Sequence, residues 1–153
     1  MAAYFLDSSA LVKRYASETG TAWVTSLINP AAGNLIYAAR ITGVESVAAV
    51  ARKRKGNLLP PADAATAITT LRKEFAGMFL IVEVTPALLA AATDAAEKHA
   101  LRGYDAVQLA AALEANSGRL EQGMSPLVLV TADTDLLAAG PAEGLAVDDP
   151  NNH

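Results

Sequence analysis

Leu127–Val128–Leu129–Val130 is apolar at successive positions and is followed by Thr131. Successive residues of a strand point to opposite faces, so a strand built from this run offers neither face to water. Such a strand belongs inside a parallel sheet with helices on both sides. Shorter runs of the same kind are Tyr4–Phe5–Leu6, Leu35–Ile36–Tyr37–Ala38 and Leu80–Ile81–Val82–Glu83–Val84, with Gly144–Leu145–Ala146–Val147 as a last edge strand. The intervening segments have helical grammar. The first helix is expected over about Ser9–Ala16 and the second from Thr21 through Trp23, Val24, Leu27 and Ile28. Asn29–Pro30 ends the second, because the residue before proline is pushed out of helical angles. Thr42 reads as the cap of a third helix, Gly43 to about Lys53, with Val44, Val47, Ala48 and Ala51 as its buried stripe and Glu45 in its first turn. The fourth opens at Pro60–Pro61 and turns Ile68, Leu71 and Phe75 inward. The fifth runs from Pro86 to about Ala100, the sixth starts at Asp105 and stops before Gly118, and a short one covers Leu136–Ala139. Strands alternating with helices give an α/β fold, a three-layer α/β/α sandwich with a mostly parallel central sheet. With 153 residues the chain is expected to form one domain, 1–147, followed by a loose polar tail, 148–153.

The chain has no cysteine, which excludes disulfides, thiolate zinc sites and thiol nucleophiles, and suits a reducing cytoplasm. Its two histidines, His99 and His153, lie near no nucleophile motif, and neither GxxxxGK[ST] nor GxGxxG occurs. A membrane span and a signal peptide are not expected. The net charge of −4 argues against a general nucleic-acid binder, but distribution outweighs the sum. Arg52–Lys53–Arg54–Lys55 is strongly basic, and Arg40, Arg72, Lys73, Lys98 and Arg102 add to it.

Two segments repeat one pattern: an apolar strand, then Asp7 before Ser8–Ser9, or Asp133 before Thr134–Asp135. Each aspartate is explained on its own as a helix cap. Together they imply more. Ligands of open α/β sheets bind beyond the carboxyl ends of strands, and two such strands side by side would bring two carboxylates within a few ångströms. Like charges that close repel unless a cation lies between them. Glu45, early in its helix, and Asp105, at a helix start, are candidates for the same point, although a favourable helix dipole accounts for each equally well. Asp135 reads either as a supporting group or as a solvated side chain. An all-oxygen donor set suits Mg²⁺ or Mn²⁺, hard cations that keep waters and polarise phosphoryl oxygens.

Four pieces of the sequence in this order resemble the PIN-domain family, and within it the ribonuclease toxins of VapBC-type toxin–antitoxin pairs. They are Phe5–Lys13, Gly43–Val47, Leu101–Ala110 and Val130–Leu136. The resemblance spans nearly the whole chain. It implies a PIN-like sandwich and a metal-dependent endoribonuclease whose acidic set maps onto Asp7, Glu45, Asp105 and Asp133. Asp7, Asp105 and Asp133 would serve the Mg²⁺ or Mn²⁺ ion, with Ser9 and Thr131 as supporting polar groups and Asp135 as a further candidate beside them; Arg102 and the run with Arg52, Lys53 and Arg54 are candidates to hold RNA phosphates, a solvated helix end being the equal alternative for the run. It also implies a homodimer and a small antitoxin protein that inhibits it. Two other readings compete. A non-catalytic PIN-like protein-binding module would keep the acids for docking. A receiver-type signalling domain would need paired acids after the first strand and a lysine after the last major one; Asp7 is followed by serines and no lysine follows Val130.

Overall fold

The computed structural model describes residues 1–153. Its centre is one sheet of β1 (Ala3–Leu6), β2 (Leu35–Ala39), β3 (Leu80–Val82), β4 (Val128–Val130) and β5 (Ala146–Asp148). All pairings are parallel, in the order β3-β2-β1-β4-β5. The chain winds outward from β1 through β2 to β3, then returns to the other side of β1 for β4 and β5. The crevice where the direction reverses therefore lies between β1 and β4, the place where open α/β sheets bind ligands. Leu6 is in register with Val130, so Asp7 and Thr131 leave the sheet side by side.

Seven α-helices cover the sheet: α1 (Ser8–Leu11), α2 (Thr21–Ile28), α3 (Arg40–Lys55), α4 (Pro61–Gly77), α5 (Pro86–His99), α6 (Gly103–Glu121) and α7 (Thr134–Ala142). Alternation along the strands feeds two separate cores. Phe5 and Leu129 pack with Leu88, Leu109 and Leu136 of α5, α6 and α7. Leu6 and Val130 face the other way, onto Leu11, Val24, Val50 and Leu71 of α1 to α4. Each fully buried side chain of this size contributes about 1.5–3 kcal/mol of transfer free energy. The result is the expected α/β sandwich, with an all-parallel sheet. No helix is long and apolar enough to cross a membrane.

Four local expectations need correction. The helix α3 begins at Arg40, so Thr42 is not its cap and Glu45 falls in the second turn. Its buried residues are Thr42, Ser46 and Val50, at i, i+4 and i+8, while Val44 is 70% exposed. The first helix shortens to a single α turn, and Val12–Arg14 tightens into a 3₁₀ turn. In α6 the helix runs through Gly118 to Glu121, where Arg119 bonds the Ser125 carbonyl and anchors the following loop.

The tail is the fourth. Far from loose, Pro150–Asn152 forms a 3₁₀ turn docked on the start of α2. Lys13 Nζ donates to Asn151 Oδ1 at 2.9 Å, and the His153 ring stacks on Trp23 with centroids 3.9 Å apart. Gly20 permits this docking: it sits at φ +87°, and a Cβ there would overlap the Pro150 carbonyl. Gly20→Ala combines left-handed strain with that overlap, and is expected to cost about 2–4 kcal/mol. Urea unfolding followed by Trp23 fluorescence measures the cost, and the docked C-terminus should become the first site of proteolysis.

Candidate active site

The site is built on Asp7, the last residue before α1. Its Oδ1 accepts from Ala10 N at 2.9 Å, which caps the helix, and from Ser9 Oγ at 2.7 Å; its Oδ2 accepts from Thr131 Oγ1 at 2.6 Å. The residue is only 2% exposed. A carboxylate offers about four lone-pair sites, so these three bonds leave one free, on Oδ2. Ser9 and Thr131 also reach across the crevice. Ser9 Oγ accepts from Ala132 N at 2.9 Å, and Thr131 Oγ1 accepts from Asp133 N at 3.0 Å. Both hydroxyls thus lock the loop after β4 against the loop after β1, which fixes Asp133 relative to Asp7. Asp133 itself caps α7 through Leu136 N at 3.0 Å.

Glu45 comes from α3 and is held at both oxygens. Ser8 Oγ donates to Oε2 at 2.9 Å and Gln108 Nε2 donates to Oε1 at 3.1 Å. The other bond of Gln108 Nε2 goes to Thr42 Oγ1 at 2.9 Å. Gln108 and Thr42, both fully buried, form a polar bridge between α6 and α3. Neither was singled out as a site residue from the sequence. The one available signal was an amide inside the apolar run Val107–Gln108–Leu109–Ala110, since a buried polar group needs partners.

The acids sense one another. Burial pushes the Asp7 carboxyl up to about 6; hydrogen bonds from Thr131, Ser9 and Ala10 oppose the push and the Asp105 charge adds to it. Desolvation also raises Asp105 to about 6, with repulsion from Asp133 next, then Glu45 and Asp135, and with Arg102 opposing. In this conformation no three acidic side chains stand in position to enclose a cation. Mg²⁺ does not need three, because it keeps several waters and takes one or two carboxylates. The donor set fits such an ion: it is all oxygen, part of it is buried, one Asp7 lone pair is free, and its mutual repulsion a cation would relieve.

The remaining predicted residues divide. Arg102 acts electrostatically on Asp105. Arg52 lines a cleft with Ser8, Ser9 and Glu45, one helical face down α3. Lys53 instead turns to Glu18 Oε2 at 3.5 Å. Arg54, two positions past Arg52, points to the opposite side of the helix by its geometry. Asp135 is exposed in the first turn of α7 and reaches the cluster only through its charge on Asp105.

A proton competes with any cation for these carboxyls. Because Asp7 and Asp105 stand at about 6 rather than 3.8, protonation begins just below neutrality. Mn²⁺ affinity is therefore expected to be flat above pH 7 and to fall at least about 10-fold between pH 6.5 and 5.5. Isothermal titration calorimetry across that range checks it.

No curated protein matches the chain in sequence. Among solved structures, PAE2754 from Pyrobaculum aerophilum superposes with a TM-score of 0.66 at 25% identity, over 99% of this chain and 91% of that one. VapBC2 from Rickettsia felis, solved bound to a DNA fragment from their promoter, gives 0.60 at 14% identity, over 96% of this chain and 98% of that one. FitAcB from Neisseria gonorrhoeae gives 0.56 at 22% identity, over 96% and 97%. Residues 4–140 match the PIN domain, a span that begins one strand before Asp7 and closes beyond Asp133. With the parallel sheet and its carboxylates gathered at the switch point, that match over most of the sequence makes this chain a member of the PIN domain family.

Proposed function

We propose that the protein is a Mg²⁺- or Mn²⁺-dependent endoribonuclease and the toxin of a toxin–antitoxin pair. The observation that carries this reading is Asp7: a nearly fully buried carboxyl at the switch point, held up at about 6 and in electrostatic contact with Asp105. Family membership and the structural likeness to VapBC2 and FitAcB support the toxin role. The partners proposed with this reading are a cognate antitoxin protein and a second copy of the chain, as the family resemblance implies, and the proposed place of action is the cytoplasm.

Asp7 and Asp105 would hold the ion, and Asp133 and Glu45 would complete the site. When bound, the ion supplies Lewis-acid polarisation of the phosphodiester and acidifies a water. Ser9 and Thr131 fix the Asp7 carboxylate, so little reorganisation is needed when charge develops. Glu45, pinned by Ser8 and Gln108, orients the attacking water and accepts its proton. Arg52 and Arg102 steady the flanking phosphates and offset part of the acidic field that repels RNA.

The test is cleavage of a labelled total-RNA pool by the purified protein with Mn²⁺, with EDTA, and with Asp105→Asn. The expected result is cleavage with Mn²⁺ alone, lowered at least about 100-fold in the variant. Equal cleavage by the variant overturns the site. No cleavage in any lane, from folded protein free of partner, turns the assignment to a protein-binding module.

A further inference from the structure

Beside the carboxylates lies a hollow whose apolar walls and Tyr104 the hydrolytic reading leaves unused. It is a cleft of about 470 Å³ between α1 and α3, within the size range of small-molecule sites. Ser8, Ser9 and Glu45, which abut the reacting centre, supply its polar lining, and Val12, Ile41 and Val44 are among the apolar residues that make up most of the rest. Arg52 and Tyr104 also line it. Tyr104 is 63% exposed, in the first turn of α6 and directly before Asp105. Aromatic rings this open are unusual in a chain with 5% aromatic residues, and water-facing apolar surface is normally spent on contacts. The other aromatic side chains are withdrawn: Phe5, Tyr15, Phe75 and Phe79 are buried, and Tyr4, Trp23 and Tyr37 are half-buried.

We propose that this cleft is a nucleobase subsite, in which an unpaired base of the RNA strand stacks on the Tyr104 ring and Arg52 holds the adjoining phosphate. The proposal rests on the endoribonuclease reading and deepens it. An aromatic platform next to a cation is the arrangement that binds single strands, because every base has a stacking face while the guanidinium tracks the backbone. A paired base is already stacked and cannot enter, so the subsite selects loops and single-stranded segments. Continuity with the carboxylates matters most. Glu45 belongs both to the cleft lining and to the acidic cluster, so a base seated on Tyr104 puts a neighbouring phosphate within one nucleotide of Asp105.

One other occupant is conceivable from the same residues. Tyr104 also borders an apolar hollow lined by Ile41, Val84 and Leu89, which a second copy of the chain could cover. Arg52 favours the nucleotide: its guanidinium lines the cleft with no ion pair, and an apolar interface would bury that charge without a partner.

The experiment measures binding of a fluorescent single-stranded RNA, and of an abasic strand of the same length, by anisotropy in EDTA at fixed salt. The parent, Tyr104→Ala and Tyr104→Trp are compared, with sedimentation velocity on each. Tyr104→Ala is expected to weaken the RNA roughly 10- to 100-fold and leave the abasic strand unchanged, while Tyr104→Trp retains affinity. Equal RNA binding by Tyr104→Ala and the parent overturns the proposal, and so does an equal loss on both strands. A dimer that becomes monomeric only in Tyr104→Ala also overturns it, assigning the ring to the copy–copy interface. Base-dependent binding through Tyr104 in a protein that cuts nothing with Mn²⁺ keeps the subsite and rejects the nuclease reading, so the two fail separately.

Discussion

Asp7→Asn is expected to lower RNA cleavage at least about 100-fold and, with metal removed, to gain stability over the parent as the pH rises. The activity loss follows from removing a negative ligand whose position is fixed by three hydrogen bonds. The stability effect follows from linkage. The folded carboxyl titrates at about 6 against an unfolded value of 3.8, so between those values the folded state binds the extra proton. The parent is therefore most stable, in this respect, below pH 3.8, and loses that stability as pH rises through 6. At 1.36 kcal/mol per unit the swing is about 3 kcal/mol. Asparagine does not titrate. It does present an amide donor or a single acceptor to Thr131 and Ser9, a cost that is independent of pH. The readable quantity is thus the difference between variant and parent, which should move in favour of the variant by about 2.4 kcal/mol of that swing from pH 4 to pH 7. In melting temperature that is roughly 5–10 °C for a chain of this size. Saturating Mn²⁺ should cancel the gain by stabilising the parent alone. A difference that stays flat with pH would mean that the Asp7 carboxylate is not held against its own charge.

Such opposed effects on stability and activity explain why the position of Asp7 was legible. A carboxylate delivered by an apolar strand is costly unless something needs it there, and β1 and β4 write that conflict into consecutive residues. The parallel sheet was legible for a similar reason, because Leu127–Val130 tolerates no other surroundings. By contrast, α3 was misread because its alanines and valines mimic a buried stripe. Val44 faces out, Thr42 faces in and bonds Gln108, and Ser46 is buried on the same face with its hydroxyl unpartnered. Threonine and serine carry no apolar signal, so a polar interior seam is invisible to periodicity. The tail was misread because its partners, Lys13 and Trp23, are more than a hundred residues away in sequence. For Asp133, local and non-local readings are both true: the side chain caps α7 and also repels Asp105.

The other large effect expected is on stability alone, at Glu74. This residue of α4 is 8% exposed and its carboxylate takes Arg14 Nε at 3.1 Å and Nη2 at 2.6 Å, a forked pair, together with the Tyr15 hydroxyl at 2.6 Å. Burial pushes the Glu74 carboxyl up, but the bonds from Arg14 and Tyr15 and the Arg14 charge outweigh it, and the group stays below its ordinary value. The sign is therefore opposite to that of Asp7: the stability is present above the unfolded value of 4.5 and lost as pH falls through the folded one. Glu74→Ala leaves the Arg14 guanidinium and the buried Tyr15 hydroxyl without their acceptor. Breaking one side of a buried pair costs about 3–5 kcal/mol, and Arg14, with its side chain 20% exposed, recovers some of that from water. The expected loss is about 2–4 kcal/mol at pH 7 in urea unfolding, shrinking below pH 4.5 as the parent carboxyl protonates. Glu74→Gln keeps the shape but offers one acceptor oxygen where three donors converge, so it should lie between the two. The network ties α4 to the turn that follows α1, not to the carboxylates. The fraction of either variant that remains folded should accordingly bind Mn²⁺ with the affinity of the parent, and a matching fall in metal affinity would show that α4 sets the position of Asp7.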